Sequence, residues 1–199
     1  MAEIEYFFSV ISSYTYLAGT RPAEIAARHG LGVSYRPLDI TALFARTGGV
    51  AVGARHASRQ AYRLRDLARQ ARRAGVAINL QPAFFPANAA PASYAIIAAQ
   101  AEGGGDMAAL VHGLSRACWA EEKNVADDEV IRAALVGAGF DPDLADKGLF
   151  TAADTYGRNL EAAVLAGVFG APSWVTPDGE LFWGQDRLDD LEAHLAGDL

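Results

Sequence analysis

Two adjacent hydroxyls, Ser12 and Ser13, stand directly after an apolar, β-like run and directly before a helical one. Either can cap a helix at that point. A helix start also presents unpaired backbone N–H groups and positive potential, which favour a nearby anion. A hydroxyl placed there can donate a hydrogen bond to such an anion but cannot exchange disulfides. Further along, seven arginines and one aspartate fall between residues 55 and 73. Arg55, Arg59 and Arg63 recur at i, i+4 and i+8 and so share one helix stripe. The stripe reads as a solvated face or, in the sharper reading, as one or two arginines that face a cleft together with His56 and attract a carboxylate. Near the C-terminus, Pro172 follows Ala171 at the start of an apolar run, and Trp183-Gly184-Gln185-Asp186 leads into the last amphipathic segment. Gly184 permits close backbone approach there, and Asp186 can cap the helix that follows. His29, His112 and His194 show no ligand spacing, so no metal site is expected. Cys118, in an apolar helical context beside Trp119, reads as a packed small side chain.

The elements that must position these residues are legible as patterns. Ile4 to Ile11 reads as a buried strand, and a helix from the serines to Gly30 follows, interrupted by Gly19 and Pro22. Val33 to Leu38 alternates as a second strand, with Pro37 favouring an edge or an end. Strand, helix and strand within so short a stretch suggest a parallel βαβ unit. Residues 41–53 read as a loop, His56 to about Ala74 as a helix, and 78–90 as an irregular connection. Helices are expected over 91–102, 106–120, 127–138 and 150–166, with breaks at Gly103-Gly104-Gly105, Asn124, Gly139 and Pro142. Ser173 to Thr176 and Glu180 to Trp183 read as a hairpin around Pro177-Asp178-Gly179, and a last helix runs from Arg187 to Ala196.

Composition narrows the classes. The chain has 199 residues, of which 51% are hydrophobic, enough for a real core and too many for a disordered chain. A net charge of −7 speaks against a generally basic nucleic-acid binder. A single cysteine excludes an internal disulfide and a CxxC redox centre. No apolar run is long enough to span a bilayer, and no basic segment precedes an apolar one at the start, so a cytoplasmic location without membrane attachment is expected.

The order βαβ, helices, ββα, with a proline just before the third strand, is the layout of an α/β thioredoxin-like fold with an inserted all-helical domain. Three motifs sharpen this: Ser12 to Ala18, Phe169-Gly170-Ala171-Pro172-Ser173-Trp174, and Leu181 to Leu188. Together they resemble the 2-hydroxychromene-2-carboxylate isomerase family, which is related to the kappa-class glutathione transferases and shares their DsbA-like fold. Phe85-Pro86-Ala87-Asn88 and Ala117-Cys118-Trp119 agree with the same resemblance. The family usually has a proline where this chain has Ser13, and an acidic residue where it has Ser9. It also usually has a Gly/Pro-rich stretch with an asparagine where this chain has Gly53-Ala54-Arg55-His56. The segment after Asn88 is rich in alanine.

The resemblance implies a thioredoxin-like domain over 1–45 plus 160–199 and a helical insertion over 46–159. It implies glutathione as a cofactor, held by Ser12, Ala171, Pro172, Trp183, Gly184, Gln185 and Asp186. In that family Ser12 and Thr15 stand where DsbA-like oxidoreductases carry cysteines, and Ser12 assists an external thiolate. The alternative donor, Ser13, stays open. The resemblance further implies a cis Ala171–Pro172 bond that turns the Ala171 backbone towards the ligand. The Gln185 and Asp186 N–H groups would hold the γ-glutamyl carboxylate, and the Asp186 side chain its ammonium. Asn88, Arg55 and His56 are the candidate residues for a small aromatic carboxylate substrate. A homodimer is expected because relatives often pair. Two other functions remain open from the sequence: a kappa-like glutathione transferase or peroxidase, and a non-enzymatic thioredoxin-fold binding protein.

Overall fold

The computed structural model describes all 199 residues. Strand β1 (Glu3–Phe8) pairs in parallel with β2 (Gly32–Pro37) and antiparallel with β3 (Ser173–Val175), which in turn pairs antiparallel with β4 (Leu181–Trp183). The sheet order is β2-β1-β3-β4. β2 is therefore an edge strand, where Pro37 leaves no ladder bond unmade. Between β1 and β2 lie α1 (Ser13–Ala18) and α2 (Arg21–Arg28). Gly19, at a φ of 61°, ends α1, and Pro22 opens α2, so the interruption read from the sequence is real.

Residues 41–53 are not the loop expected of them. Asp39 caps a helix, α3 (Ile40–Thr47), through bonds from the Thr41 and Ala42 N–H groups, and Gly48 ends it in the left-handed conformation. The glycine that read as loop punctuation is a helix terminator. A single 3-10 turn, Val52–Ala54, then leads to α4 (Ala57–Ala74). The helical block continues with α5 (Ala90–Glu102), α6 (Met107–Trp119) and α7 (Asp128–Gly137). The helix expected over 150–166 is α9 (Ala153–Leu165), and an unpredicted helix, α8 (Leu144–Thr151), precedes it and meets it at Ala152. Strand β1 is also shorter than expected and ends at Phe8, so Ser9 to Ile11 form the approach to α1.

Alternation in β1 explains the layering. Ile4, Tyr6 and Phe8 face the main core, where they meet Trp174 and Phe182 of the hairpin and the apolar faces of α1, α2, α5, α6 and α10 (Leu188–Ala196). Phe7 points the other way, to a smaller core with Leu38, Leu43 of α3, Ala163 of α9 and Val168. Both faces of the sheet are thus covered. Residues 45 and 160 fall inside α3 and α9, which pack on one face together. Tyr6 stacks on Trp174 with ring centroids 5.4 Å apart. Each such buried side chain contributes about 1.5–3 kcal/mol of transfer free energy.

A third, small cluster matters most for the site. Leu17 of α1 packs against Leu67 and Ala71 of α4. This contact fixes which face of α4 looks onto the start of α1.

Candidate active site

Ser12 is the N-cap of α1 in extended backbone geometry, and its Oγ accepts a 3.3 Å bond from the Thr15 N–H. The same hydroxyl donates to the Ala171 carbonyl at 3.1 Å. A bond between residues so far apart in sequence joins the start of α1 to the turn before β3. Capping and bridging are compatible because the oxygen accepts from one side while its proton leaves on the other. The Ala171–Pro172 peptide is cis, and so is Phe85–Pro86, for which the sequence held no signal. The Ala171 carbonyl is engaged by Ser12, while the Ala171 N–H has no acceptor within the protein.

Ser13 points elsewhere. It is buried, and its Oγ accepts a 2.9 Å bond from Arg63 Nη2 of α4. The two adjacent hydroxyls therefore divide: Ser12 towards the cis-proline turn, Ser13 towards the arginine helix. Thr15 is buried with its hydroxyl unpartnered and does not line the cavity.

Both serines open on a cavity of about 380 Å³ at the N-terminal end of α1. Its walls are largely apolar and come from Ile11, Ile40, Phe44, Val52, Phe85 and the Ala171 turn. Its cations are Arg55 and Arg63; no acidic residue and no cysteine lines it. Arg63 lies over the Phe85 ring at 5.7 Å and the Trp119 ring at 5.5 Å. Burial pulls its guanidinium below the ordinary arginine value, with Arg55 adding to that and Tyr14 opposing it. Tyr14, also on the wall, donates to Asp66 at 3.3 Å, and its phenol is pushed up to about 12 by burial and then by the Asp66 charge.

Of the residues expected to meet the substrate, one of three reaches this cavity. Arg55 lines it, with Nε donating to the Val50 carbonyl at 2.8 Å. His56 does not: it is the exposed N-cap of α4, its Nδ1 within 2.8 Å of the Ser58 hydroxyl. Asn88 does not either. It is exposed, and its side-chain oxygen accepts from the Ala90 N–H at the start of α5. Both polar groups are taken up by local helix-start geometry. Arg63 is the residue the sequence reading did not single out from its stripe. A signal existed: Arg63, Leu67 and Ala71 continue one i, i+4 stripe, so the arginine prolongs the buried face of its helix.

The C-terminal motif forms a neighbouring wall. Trp183 is 52% exposed and meets Phe169 edge-on at 4.8 Å. A Cβ on Gly170 would come within 2.4 Å of Trp183 Nε1, which explains the glycine. The Gly184 N–H donates to the Pro172 carbonyl at 2.9 Å, tying the proline turn to the segment after β4. The expectation that Asp186 caps the last helix is corrected. Gln185–Arg187 is a 3-10 turn, α10 starts at Leu188, and no side chain caps it. Asp186 instead lies 3.3 Å from Arg187. Gln185 and Asp186 open on a second cavity, about 530 Å³, at the C-terminal end of α1, which holds Arg21, Arg73, His112 and Asp189.

Cys118 is buried in the main core, and burial pushes its thiol up to about 12, with Glu122 acting in the same direction. It is not a reactive thiol. No group of three His, Cys, Asp or Glu side chains is close enough to hold a metal ion, and no helix is long and apolar enough to cross a membrane.

Comparison with known proteins places this geometry. Residues 3–196 match the DSBA-like thioredoxin domain family. A 2-hydroxychromene-2-carboxylate isomerase of Sphingobium xenophagum is 30% identical over 195 residues, covering 96% of this chain and 97% of that protein. A solved 2-hydroxychromene-2-carboxylate isomerase superposes with a TM-score of 0.77 at 24% identity, covering 98% of this chain and 95% of that one. The cytosolic disulfide reductase DsbM from Pseudomonas aeruginosa, solved with GSH, superposes with a TM-score of 0.69 at 19% identity, covering 98% of each chain. At these identities the two solved structures speak to the fold alone.

Proposed function

The chain belongs to the DSBA-like thioredoxin family and, within it, to the 2-hydroxychromene-2-carboxylate isomerases; from that premise we propose that it is a glutathione-dependent isomerase of a small aromatic carboxylate. One observation carries the proposal. The position at the start of α1 holds Ser12, and its hydroxyl faces a cavity lined by no protein sulfur, which suits an external thiol.

The residues present fit glutathione. The unpaired Ala171 N–H beside Pro172 offers a backbone donor for an extended peptide, in the manner of an added strand. The Gly184 link carries the same surface on to Gln185 and Asp186, where an exposed carboxylate suits the ammonium of a γ-glutamyl group. When bound, glutathione would supply a thiolate nucleophile for reversible addition to a conjugated carbon of the substrate.

The chain's own part is to prepare that thiolate and to position the substrate. The Ser12 proton serves either the Ala171 carbonyl or a sulfur, and turning it to a sulfur stabilises the charged form. A thiol pKa lowered by about one unit corresponds to about 1.4 kcal/mol. The apolar walls formed by Phe44 and Phe85 suit a flat ring.

The test is calorimetric titration of glutathione into the protein and into a Ser12→Ala variant, with the thiolate absorbance followed beside it. The expected result is binding with a thiolate signal, and a variant whose bound thiol titrates about one unit higher, leaving about tenfold less thiolate at neutral pH. Absence of binding at millimolar glutathione would sink the proposal. Product analysis then separates isomerisation, which returns glutathione unchanged, from transfer, which consumes it.

A further inference from the structure

We infer that Arg63 and Ser13, the latter standing where the family usually has a proline, are the pair that holds a ligand's carboxylate in this cavity. The inference deepens the reading above by taking the cavity as the substrate's, but it does not depend on glutathione.

Three observations meet at this point. Arg63 is half-buried and makes no ion pair; its one side-chain hydrogen bond goes to a neutral hydroxyl, that of Ser13. The nearest acid on its helix, Asp66, is occupied by Tyr14 and Arg69. No acidic side chain lines the cavity. A cation drawn from water without a counter-ion is unfavourable, and the two aromatic faces beneath Arg63 offset only part of this. An incoming carboxylate would supply the missing charge, and charge-assisted bonds to a guanidinium are among the stronger hydrogen bonds.

Ser13 adds the second donor. It is 2% exposed, yet it lines the cavity. Its oxygen accepts from Arg63, and its own proton has no acceptor in the protein. A hydroxyl fixed by a guanidinium in this way presents its proton to whatever anion the guanidinium attracts. Arg55 stands at the rim over Phe44 at 5.9 Å and adds to the positive field. The remaining wall is apolar, which suits a single carboxylate on a flat ring better than a multiply charged phosphate.

The experiment compares cinnamate with cinnamamide, its neutral isostere, by calorimetry without glutathione. The protein is expected to bind cinnamate about tenfold or more tightly than the amide. Arg63→Met should bring the two affinities together, and Arg63→Lys should keep part of the difference. Since Arg63→Met removes packing from Phe85 and Trp119, Ser13→Ala is measured in parallel and should narrow the difference about threefold. Equal binding of both probes by the unmodified protein, no binding of either at millimolar concentration, or a difference unchanged in Arg63→Met or Ser13→Ala would overturn the inference. A failed glutathione titration beside an intact carboxylate preference would sink the proposed cofactor and leave this inference standing.

Discussion

The two ends of α1 open on cavities of opposite character. At the N-terminal end the walls are apolar, and the two cations have no acidic partner on the lining. At the C-terminal end the lining is polar and carries both signs, with Arg21 and Asp189 paired at 2.6 Å. A helix of six residues spans only about 9 Å, so these environments lie close together. Along α4, Leu67 falls between Arg63, on one lining, and Gln70, on the other, and it packs with Ala71 against Leu17 of α1. The same two helices serve both sides. α4 offers Arg63 to one cavity and Gln70 and Arg73 to the other; α1 with its cap offers Ser12 and Ser13 to one and Tyr16, Leu17 and Ala18 to the other, where α2 adds Arg21. The difference teaches where selectivity can arise: an uncompensated charge on an apolar wall discriminates between ligands, whereas paired, hydrated charges discriminate little.

The strongest way to break this comparison is to loosen the contact that seats α4 on α1. Leu67 is fully buried, and Leu67→Ala should destabilise the fold by about 2–5 kcal/mol, as core truncations of this kind do. Chemical denaturation gives that number. The more telling readout is the ratio of cinnamate to cinnamamide affinity, which should fall because Arg63 lies one turn away and its place over Phe85 and Trp119 depends on how α4 docks. A variant that lost stability but kept the full preference would mean that the arginine is held by its aromatic partners alone.

Next in size is a pH effect confined to the second cavity. His112 stacks on Tyr16 with centroids 5.5 Å apart, and its Nδ1 is buried without a partner. Burial first, and the Arg116 charge second, hold its pKa below the usual histidine value. The folded state therefore binds this proton less readily than the unfolded state, whose histidine titrates near 6.5. The associated stability is fully present above about pH 6.5 and is lost as the pH falls from there through the folded value. His112→Phe keeps a ring against Tyr16 and should flatten the decline in urea midpoint between pH 7.5 and 5. Parallel profiles for the two proteins would show that the second cavity does not disfavour the charged imidazole.

How much of this was readable beforehand depends on what sets each feature. The four strands and the two ends of α1 are local: Ser12 follows an apolar run and Gly19 stands where α1 stops, so the sequence pattern alone places them. α3 is local too, yet Gly48-Gly49 resembles loop punctuation until Asp39 is recognised as the cap at the other end. The arginine stripe was legible only in part: Arg59 and Arg63 lie on α4, whereas Arg55 precedes it in extended backbone and shares no helix stripe with them. Which of its members turns inward was not, because that is decided by how Leu67 and Ala71 seat α4 on Leu17, a contact between distant parts of the chain. His56 and Asn88 misled for a related reason. Polar side chains at helix starts satisfy the nearest backbone or hydroxyl group, and no pattern of spacing distinguishes that from facing a ligand. The cis bond before Pro172 has no local signature and was carried by family resemblance alone.

The smallest expected effect tests the other half of the comparison. Arg21 and Asp189 make a short ion pair, but their side chains are 50% and 85% exposed. Water screens such a pair, and holding two flexible side chains together offsets most of the remaining attraction. Arg21→Ala and Asp189→Asn should each change stability by no more than about 0.5 kcal/mol in chemical denaturation. Neither should alter the preference for cinnamate over its amide, because the charge lies at the far end of α1 and is already compensated. The contrast with Arg63 is then one of environment and not of residue type. The same guanidinium matters where it lacks a counter-ion and sits on aromatic faces, and matters little where solvent and a carboxylate already satisfy it. If Arg21→Ala lowered the carboxylate preference as much as Arg63→Met, the two cavities would have to be treated as one electrostatic site.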